Sequence, residues 1–120
     1  MPTSDLATLA EQLRAFAHER AWEPFHAPKN LASALCVEAA ELLEHFQWMS
    51  EDQSRALAPA QREEVALEAA DVLLYLVQLA DKLGIDLFAA AQRKLAINAQ
   101  RYPVETSRGS SRKAGSQDPR

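Results

Sequence analysis

The sequence is poor in cysteine, glycine and long apolar runs and has no excess of basic residues, and each of these features excludes a class of protein. Cys36 is the only cysteine, so an intramolecular disulfide and a four-cysteine zinc site are impossible. The three glycines, at positions 84, 109 and 115, form neither a Walker loop nor a dinucleotide fingerprint. The longest apolar run, residues 72–77, is too short to cross a bilayer. A net charge of -4 argues against binding to nucleic acid polymers, whose partners usually carry a basic surface.

The overall composition is that of one globular domain. The chain has 120 residues, of which 48% are hydrophobic and 25% charged. The first 13 residues contain early acidic side chains and no apolar core, so they do not form a signal peptide. We therefore expect a cytoplasmic protein without a membrane partner.

Apolar residues recur at helical spacing in four segments, and no segment alternates with the period of a strand. These segments predict an all-α fold with helices over residues 5–20, 30–49, 60–83 and 86–101. The residues that we expect at helix ends are Thr3 or Ser4, Asn30 and Asp86 as N-terminal caps, Pro59 in a first turn, and Gly84 after a C-terminus.

The segment over residues 72–77 is apolar nearly all round the helix, which implies cover from a neighbouring subunit. After residue 104 the chain becomes polar and rich in Ser and Arg. This change of composition predicts one domain over residues 1–104 and a flexible tail over residues 105–120.

Two acidic pairs stand beside apolar helix faces. Wound into a helix, Glu38 falls within about 20° of the centre of an apolar stripe, with Glu41 at its edge. Glu68 and Asp71 repeat the spacing beside the 72–77 run. Because an isolated buried carboxylate is strongly penalised, such side chains need a partner. A solvated helix face would explain one pair, but two pairs on antiparallel helices favour a site for Mg²⁺, with Mn²⁺ as a possible substitute.

Other side chains are candidates for contacts with a substrate. Lys94, Asn98 and Arg101 form one polar and cationic strip, which could bind phosphate or simply complement the helix dipole. Trp22 and Trp48 could stack on a base or cover the core. His26 could hydrogen-bond a base edge.

The pairs EAAE at residues 38–41 and EAAD at residues 68–71 resemble the ExxE…ExxD signature of the MazG-like all-α nucleoside triphosphate pyrophosphohydrolases. The stretches WEPFHAPKNL, FQWM, DVLLYLVQLA, KLAINAQRYP and SSRK are similar, in this order, to the dCTP pyrophosphatase branch. The resemblance implies a four-helix bundle completed by assembly into a homodimer or homotetramer. It also implies Mg²⁺-dependent hydrolysis of a nucleoside triphosphate, dCTP or a modified dCTP, to the monophosphate and pyrophosphate, which clears the nucleotide pool.

The resemblance assigns roles to matching positions of this chain. The implied metal ligands are Glu38, Glu41, Glu68 and Asp71. The implied nucleoside contacts are Trp22, His26, Trp48 and Tyr75. The implied phosphate and sugar contacts are Lys94, Asn98, Arg101 and Tyr102, with Arg112 and Lys113 closing over the phosphates.

The catalytic carboxylate is expected to be Glu41 in preference to Glu38, because Glu41 lies at the edge of the stripe. The alternatives are a non-catalytic, metal-binding helical oligomer and a nucleotide-sensing regulator.

Overall fold

The computed structural model describes residues 5–111, and every regular element in that range is helical. The α-helices are α1 (Asp5–Glu19), α2 (Pro28–Glu44), α3 (Glu51–Arg55), α4 (Pro59–Lys82), α5 (Leu87–Arg101) and α6 (Val104–Ser107), with a 3₁₀ turn at Glu23–Phe25. The predicted all-α class is confirmed, and α1, α2, α4 and α5 are the four predicted helices. Over these residues no helix has both the length and the apolar character to span a membrane. The predicted caps Thr3 and Ser4 lie outside the described residues.

The chain divides into two compact units, one ending at Ile85 and one beginning at Asp86. In the first unit, α4 packs most extensively against α2 and also contacts α1. The core of this unit is small, and its buried apolar side chains among the described residues are Ala17, Leu31, Val77 and Ala80. The second unit contains α5 and α6. The division of the chain at residue 104 stays a prediction.

Helices α1 and α4 end in the same hydrogen-bonding pattern. The N–H of Trp22 donates to the carbonyl of Ala17 at 2.9 Å, and the N–H of Ile85 donates to that of Ala80 at 2.8 Å. In each case the preceding residue is left-handed, as a Schellman ending requires. Gly84 has φ +65°, which confirms the prediction, whereas the equivalent residue of α1 is Ala21 with φ +54°. The sequence offered no glycine to mark the end of α1.

The predicted bounds of α2 are wrong at both ends. The helix begins at Pro28, whose fixed φ and missing N–H suit a first helical position, so Asn30 lies inside the first turn. Asn30 donates from Nδ2 to the carbonyl of Phe25 at 3.2 Å instead of capping. At the other end α2 stops at Glu44, because tighter bonds such as Phe46 N–H to Leu43 carbonyl replace the α-helical ones.

The starts of the later helices follow their local sequence. Pro59 is the first residue of α4, as predicted. Asp86 caps α5, since its Oδ1 accepts a hydrogen bond from the N–H of Ala89 at 3.0 Å. Ser50 and Gln53 form a capping box at the start of α3. Short-range chemistry therefore sets where these three helices begin.

Candidate active site

Three of the predicted acidic residues meet where α2 packs on α4. Carboxylate oxygens of Glu38, Glu41 and Glu68 all lie within 4.8 Å of one another. A spacing of three places Glu38 and Glu41 on one face of α2, and α4 supplies Glu68 from the opposite side. All three side chains are half-buried. We call these residues the carboxylate triad.

Within the described residues of the first unit, the carboxylate triad has no compensating positive charge. Among residues 5–85, no Lys, Arg or His side chain forms an ion pair with any member of the triad. Oε2 of Glu38 and Oε2 of Glu68 are buried, and the described residues offer neither of them a hydrogen-bond partner. A buried carboxylate oxygen lowers the stability of the folded protein unless a hydrogen-bond donor or a cation binds it.

The same crowding raises pKa values within the triad. Two carboxyl groups can share a hydrogen bond only when one is protonated, so the contact with Glu68 raises the pKa of Glu38, and burial raises it further. The pKa of Glu41 is also raised, first by its hydrogen bond with Glu38 and then by the charge of Glu38. Converging oxygen donors that repel one another when ionised fit a hard divalent cation, which would supply the missing partner.

Asp71, the fourth predicted ligand, stands apart from the triad. Its side chain is exposed, yet its negative charge contributes to the raised pKa of Glu38. Asp71 and Glu38 also line the same cavity. The structure therefore places Asp71 beside the triad and does not place it within the 4.8 Å group.

A cavity of about 300 Å³ opens beside the carboxylate triad. We call it the aromatic cavity, and its lining is Leu13, Phe16, Ala17, Trp22, His26, Glu38, Asp71, Leu74, Tyr75 and Gln78. Three of the four predicted nucleoside contacts, Trp22, His26 and Tyr75, are therefore brought together. Glu38 belongs to both the cavity and the triad, so it joins an apolar pocket to an acidic centre.

The helix ending of α1 holds Trp22 in this cavity. In a Schellman ending the residue after the left-handed position commonly packs on the last helical turn, and here the rings of Trp22 and Phe16 are 5.8 Å apart at 66°. The rings of Trp22 and His26 are 6.3 Å apart at 74°. Trp22 remains 42% exposed, which leaves ring surface available for stacking.

Helices α2 and α4 run antiparallel, as predicted. His26, just before α2, lines the aromatic cavity with Gln78 near the end of α4. Glu41, farther along α2, meets Glu68 near the middle of α4. The site therefore extends along the helix pair, with carboxylates towards one end and aromatic rings towards the other.

Of the remaining predicted contacts, one lies in the first unit, four in the second unit and two outside the described residues. Trp48 lies in the turn after α2, is 88% exposed, and does not line the aromatic cavity. Four residues predicted to contact phosphate and sugar belong to the second unit, and these are Lys94, Asn98, Arg101 and Tyr102. Within that unit the Arg101 guanidinium lies 5.7 Å from the centre of the Tyr102 ring. Arg112 and Lys113 lie outside the described residues. The roles of these side chains stay predictions.

Sequence reasoning missed a second cavity of about 440 Å³, which we call the charged cavity. Arg14 Nε lies 3.2 Å from Asp81 Oδ2, and His18 Nδ1 lies 2.8 Å from Glu23 Oε1. These four side chains line the cavity together with Ala10, Leu13, Ala15, Ala17, His26, Gln78 and Lys82. Arg14 and Asp81 are distant in sequence, and Glu23 lies in the connector after α1. Helical spacing therefore could not predict either pair.

Gln78 was a second omission, although its position carried a signal. It follows Asp71 by seven residues and Tyr75 by three, so it continues the same strip of α4. A polar residue on that strip, within an otherwise apolar segment, could have been selected from the sequence.

The fold and the site together define a class, an all-α protein with an acidic centre beside an aromatic pocket. The profile of the MazG-like family matches residues 34–116. This chain belongs to the MazG-like family.

Individual relatives are similar over most of the chain. It is 48% identical over 97 residues to dCTP pyrophosphatase 1 of Mus musculus, covering 79% of this chain and 57% of that protein. It is 47% identical over 100 residues to dCTP pyrophosphatase 1 of Homo sapiens, covering 82% and 59%. The chain thus spans somewhat more than half the length of these relatives. The crystal structure of a pyrophosphatase from Archaeoglobus fulgidus is similar with a TM-score of 0.79 at 39% identity, covering 86% of this chain and 96% of that one.

Proposed function

We propose that this protein hydrolyses a nucleoside triphosphate, dCTP or a 5-substituted dCTP, to the monophosphate and pyrophosphate. The observation that carries the proposal is the position of Glu38, which belongs to the carboxylate triad and also lines the aromatic cavity. A substrate with a flat base at one end and phosphates at the other matches that arrangement. The names of the similar proteins, dCTP pyrophosphatase 1 and pyrophosphatase, support the same reaction class.

We assign the acidic end of the site to Mg²⁺, which Mn²⁺ could replace. Glu38, Glu41 and Glu68 would hold the ion, with Asp71 beside them, because their oxygens converge without a positive partner among residues 5–85. When bound, the ion would neutralise charge on the phosphate oxygens and favour ionisation of a water.

The reaction breaks the bond between the α-phosphorus and the oxygen that bridges it to the β-phosphorus. A water oxygen attacks the α-phosphorus, and pyrophosphate leaves with the electron pair of the broken bond. In this proposal Glu41 takes the proton of the attacking water, since Glu38 and Glu68 each have a buried carboxylate oxygen without a partner within the described residues and Glu41 has none. Glu38 is the less favoured candidate for this step.

The aromatic end holds and orients the nucleoside. Trp22 offers a partly exposed ring for stacking, and the edge contacts of Phe16 and His26 restrict its orientation. Tyr75 lies on the same strip of α4 as Asp71, between the acidic and aromatic ends. Stacking would fix the base, so that the α-phosphate remains near the triad.

We infer further that the protein acts as a homodimer or homotetramer in the cytoplasm. Few large side chains are fully buried, and within the described chain Leu31 is the largest of them. Meanwhile Leu43 of α2 and Leu67 of α4 are each 61% exposed. Apolar helix surface of this kind is typical of an interface between subunits.

A nucleotide panel with pyrophosphate detection tests the proposed function. We expect Mg²⁺-dependent release of pyrophosphate, fastest from dCTP and 5-methyl-dCTP and slower from dUTP and purine triphosphates. Glu41→Gln should abolish release, whereas Glu63→Gln, an exposed acid of α4, should not. Stabilisation by Mg²⁺ without turnover would instead indicate a structural metal protein. Nucleotide binding without hydrolysis would indicate a sensor.

A further inference from the structure

Gln78 lies where the aromatic cavity meets the charged cavity. It lines both, as do Leu13, Ala17 and His26. Seven residues separate Gln78 from Asp71, which is about 10 Å along the axis of α4. This distance accommodates a pentose and a pyrimidine ring between the acidic end of the site and the Gln78 amide. Gln78 is therefore placed to meet the far edge of a base.

The amide of Gln78 has a defined orientation. Its Nε2 donates to the carbonyl oxygen of Leu74 at 3.2 Å. Among residues 5–85 this is the one hydrogen bond that the Gln78 side chain makes. A flipped amide would place Oε1 against the Leu74 carbonyl, and two acceptors cannot bond to each other. The nitrogen is thus held on the backbone of α4, while Oε1 remains an acceptor without a donor among residues 5–85, the described part of the first unit. The side chain is part-buried, so this acceptor lies in a partly desolvated place.

We propose that Gln78 determines specificity for cytosine by accepting a hydrogen bond at Oε1 from the exocyclic amino group of the base. The inference rests on the proposed function, because it requires a nucleotide in the aromatic cavity. Uracil carries a carbonyl oxygen where cytosine carries the amino group. That oxygen would face Gln78 Oε1, and two acceptors cannot form a hydrogen bond. Turning the amide to bind uracil would break the bond to Leu74. Sites that hydrogen-bond one substrate group reject analogues that lack it for this reason.

Calorimetric binding of dCMP and dUMP tests the role of Gln78 without requiring turnover. Gln78→Met removes the acceptor while keeping a side chain of similar length. We expect the ratio of the dUMP to the dCMP dissociation constant to fall about tenfold, the value of one hydrogen bond. Gln12→Met, an exposed position of α1 that lines neither cavity in the described structure, is the matched control.

A measurement on the unaltered protein supplements the variants if Gln78→Met fails to fold. The monophosphate of 2-pyrimidinone deoxyriboside lacks the exocyclic amino group and introduces no carbonyl in its place. We expect it to bind the wild-type protein about tenfold more weakly than dCMP. Equal affinity for the two ligands would overturn the inference. So would an unchanged ratio of dissociation constants in a folded Gln78→Met protein.

The outcome also separates this inference from the proposed function. A wild-type protein that prefers dCMP through Gln78 but releases no pyrophosphate from dCTP supports the inference and contradicts the reaction. A protein that releases pyrophosphate from dCTP, with the same dCTP to dUTP ratio of kcat/KM in Gln78→Met as in wild type, supports the reaction and overturns the inference.

Discussion

Glu38 of α2 and Glu68 of α4 meet across the helix contact, and each has one buried carboxylate oxygen without a hydrogen-bond partner in the part of the chain that the structure describes. Burial of these two carboxylates therefore lowers the stability of the folded protein in the absence of a cation. In most proteins a substitution at a helix contact destabilises, because it removes packing or leaves a polar group unpaired. At this contact the wild-type carboxylates are themselves the unpaired polar groups. We therefore expect a substitution that removes one of them to stabilise the metal-free protein.

Glu38→Gln should stabilise the metal-free protein. The amide removes one negative charge and can donate to Glu68, so we expect the free energy of unfolding in EDTA to rise by about 1 kcal/mol, the net value of one hydrogen bond. The stabilisation that Mg²⁺ gives the wild type should be lost. Urea unfolding in EDTA and in MgCl₂ measures both effects, with Glu63→Gln as the control. A variant that Mg²⁺ stabilises as much as wild type would exclude Glu38 as a ligand.

The contribution of Glu38 to the stability of the metal-free protein should fall as pH rises. Because the folded pKa of Glu38 is raised above 4.5, the folded protein retains a proton that the unfolded chain has lost. The contribution of this group is complete below pH 4.5 and is lost as pH rises through the folded value. The difference in stability between wild type and Glu38→Gln, measured in EDTA across pH, should therefore widen with pH. A difference independent of pH would contradict the raised pKa.

Glu23 should show the opposite dependence. Hydrogen bonding to its own backbone and then to His18 lowers the pKa of Glu23 below 4.5. Its contribution is therefore present above pH 4.5 and is lost as pH falls through the folded value. The stability advantage of wild type over Glu23→Gln should shrink on acidification. Urea unfolding of the two proteins from neutral to acidic pH measures this change, and an advantage that grows in acid would refute it.

Trp22→Ala should raise KM for every nucleotide that the protein hydrolyses. Loss of stacking removes roughly 1–3 kcal/mol per base, and the effect does not depend on the base because every base has a π-face. Phe25→Ala, on the same connector but outside the lining of the aromatic cavity in the described structure, is the matched control. Steady-state kinetics with dCTP and dUTP test the pair, and equal KM values in wild type and Trp22→Ala would show that Trp22 does not hold the base.

Gly84→Ala at the end of α4 and Ala21→Gly at the end of α1 should change the free energy of unfolding by different amounts. Gly84→Ala should lower the free energy of unfolding by about 1 kcal/mol, because a Cβ is unfavourable at φ +65°. Ala21→Gly relieves the same strain at φ +54°, but it also increases the freedom of the unfolded chain, so its effect should be smaller and stabilising. Urea unfolding of both variants decides the matter, and a strongly destabilised Ala21→Gly protein would contradict the left-handed backbone at residue 21.

Light scattering at micromolar concentration should show a dimer or a tetramer. Leu67→Lys, which places a charge on exposed apolar surface of α4, should reduce the measured mass. A wild-type protein that is monomeric and fully active would show that the apolar surface of α2 and α4 has another role.

The sequence by itself determined the helical elements and the spacing of the acidic residues. Pro59, Gly84 and Asp86 act on the backbone within a few residues, so their effects were predictable from local chemistry. The placement of Glu38 and Glu41 on one face of α2 follows in the same way from the period of the helix. The resemblance to the family, confirmed by its profile, connected these local features to the nucleotide hydrolysis that we propose.

Only the tertiary structure decided which faces meet and which side chains share a cavity. Glu68 joins Glu38 and Glu41 while Asp71 stands beside them, and Trp22 lines the aromatic cavity while Trp48 is exposed. These distinctions depend on the contact of α4 with α2 and α1, and on the left-handed turn after α1. Helical period orders residues along one element, whereas the distance between elements results from packing among side chains that are far apart in the chain.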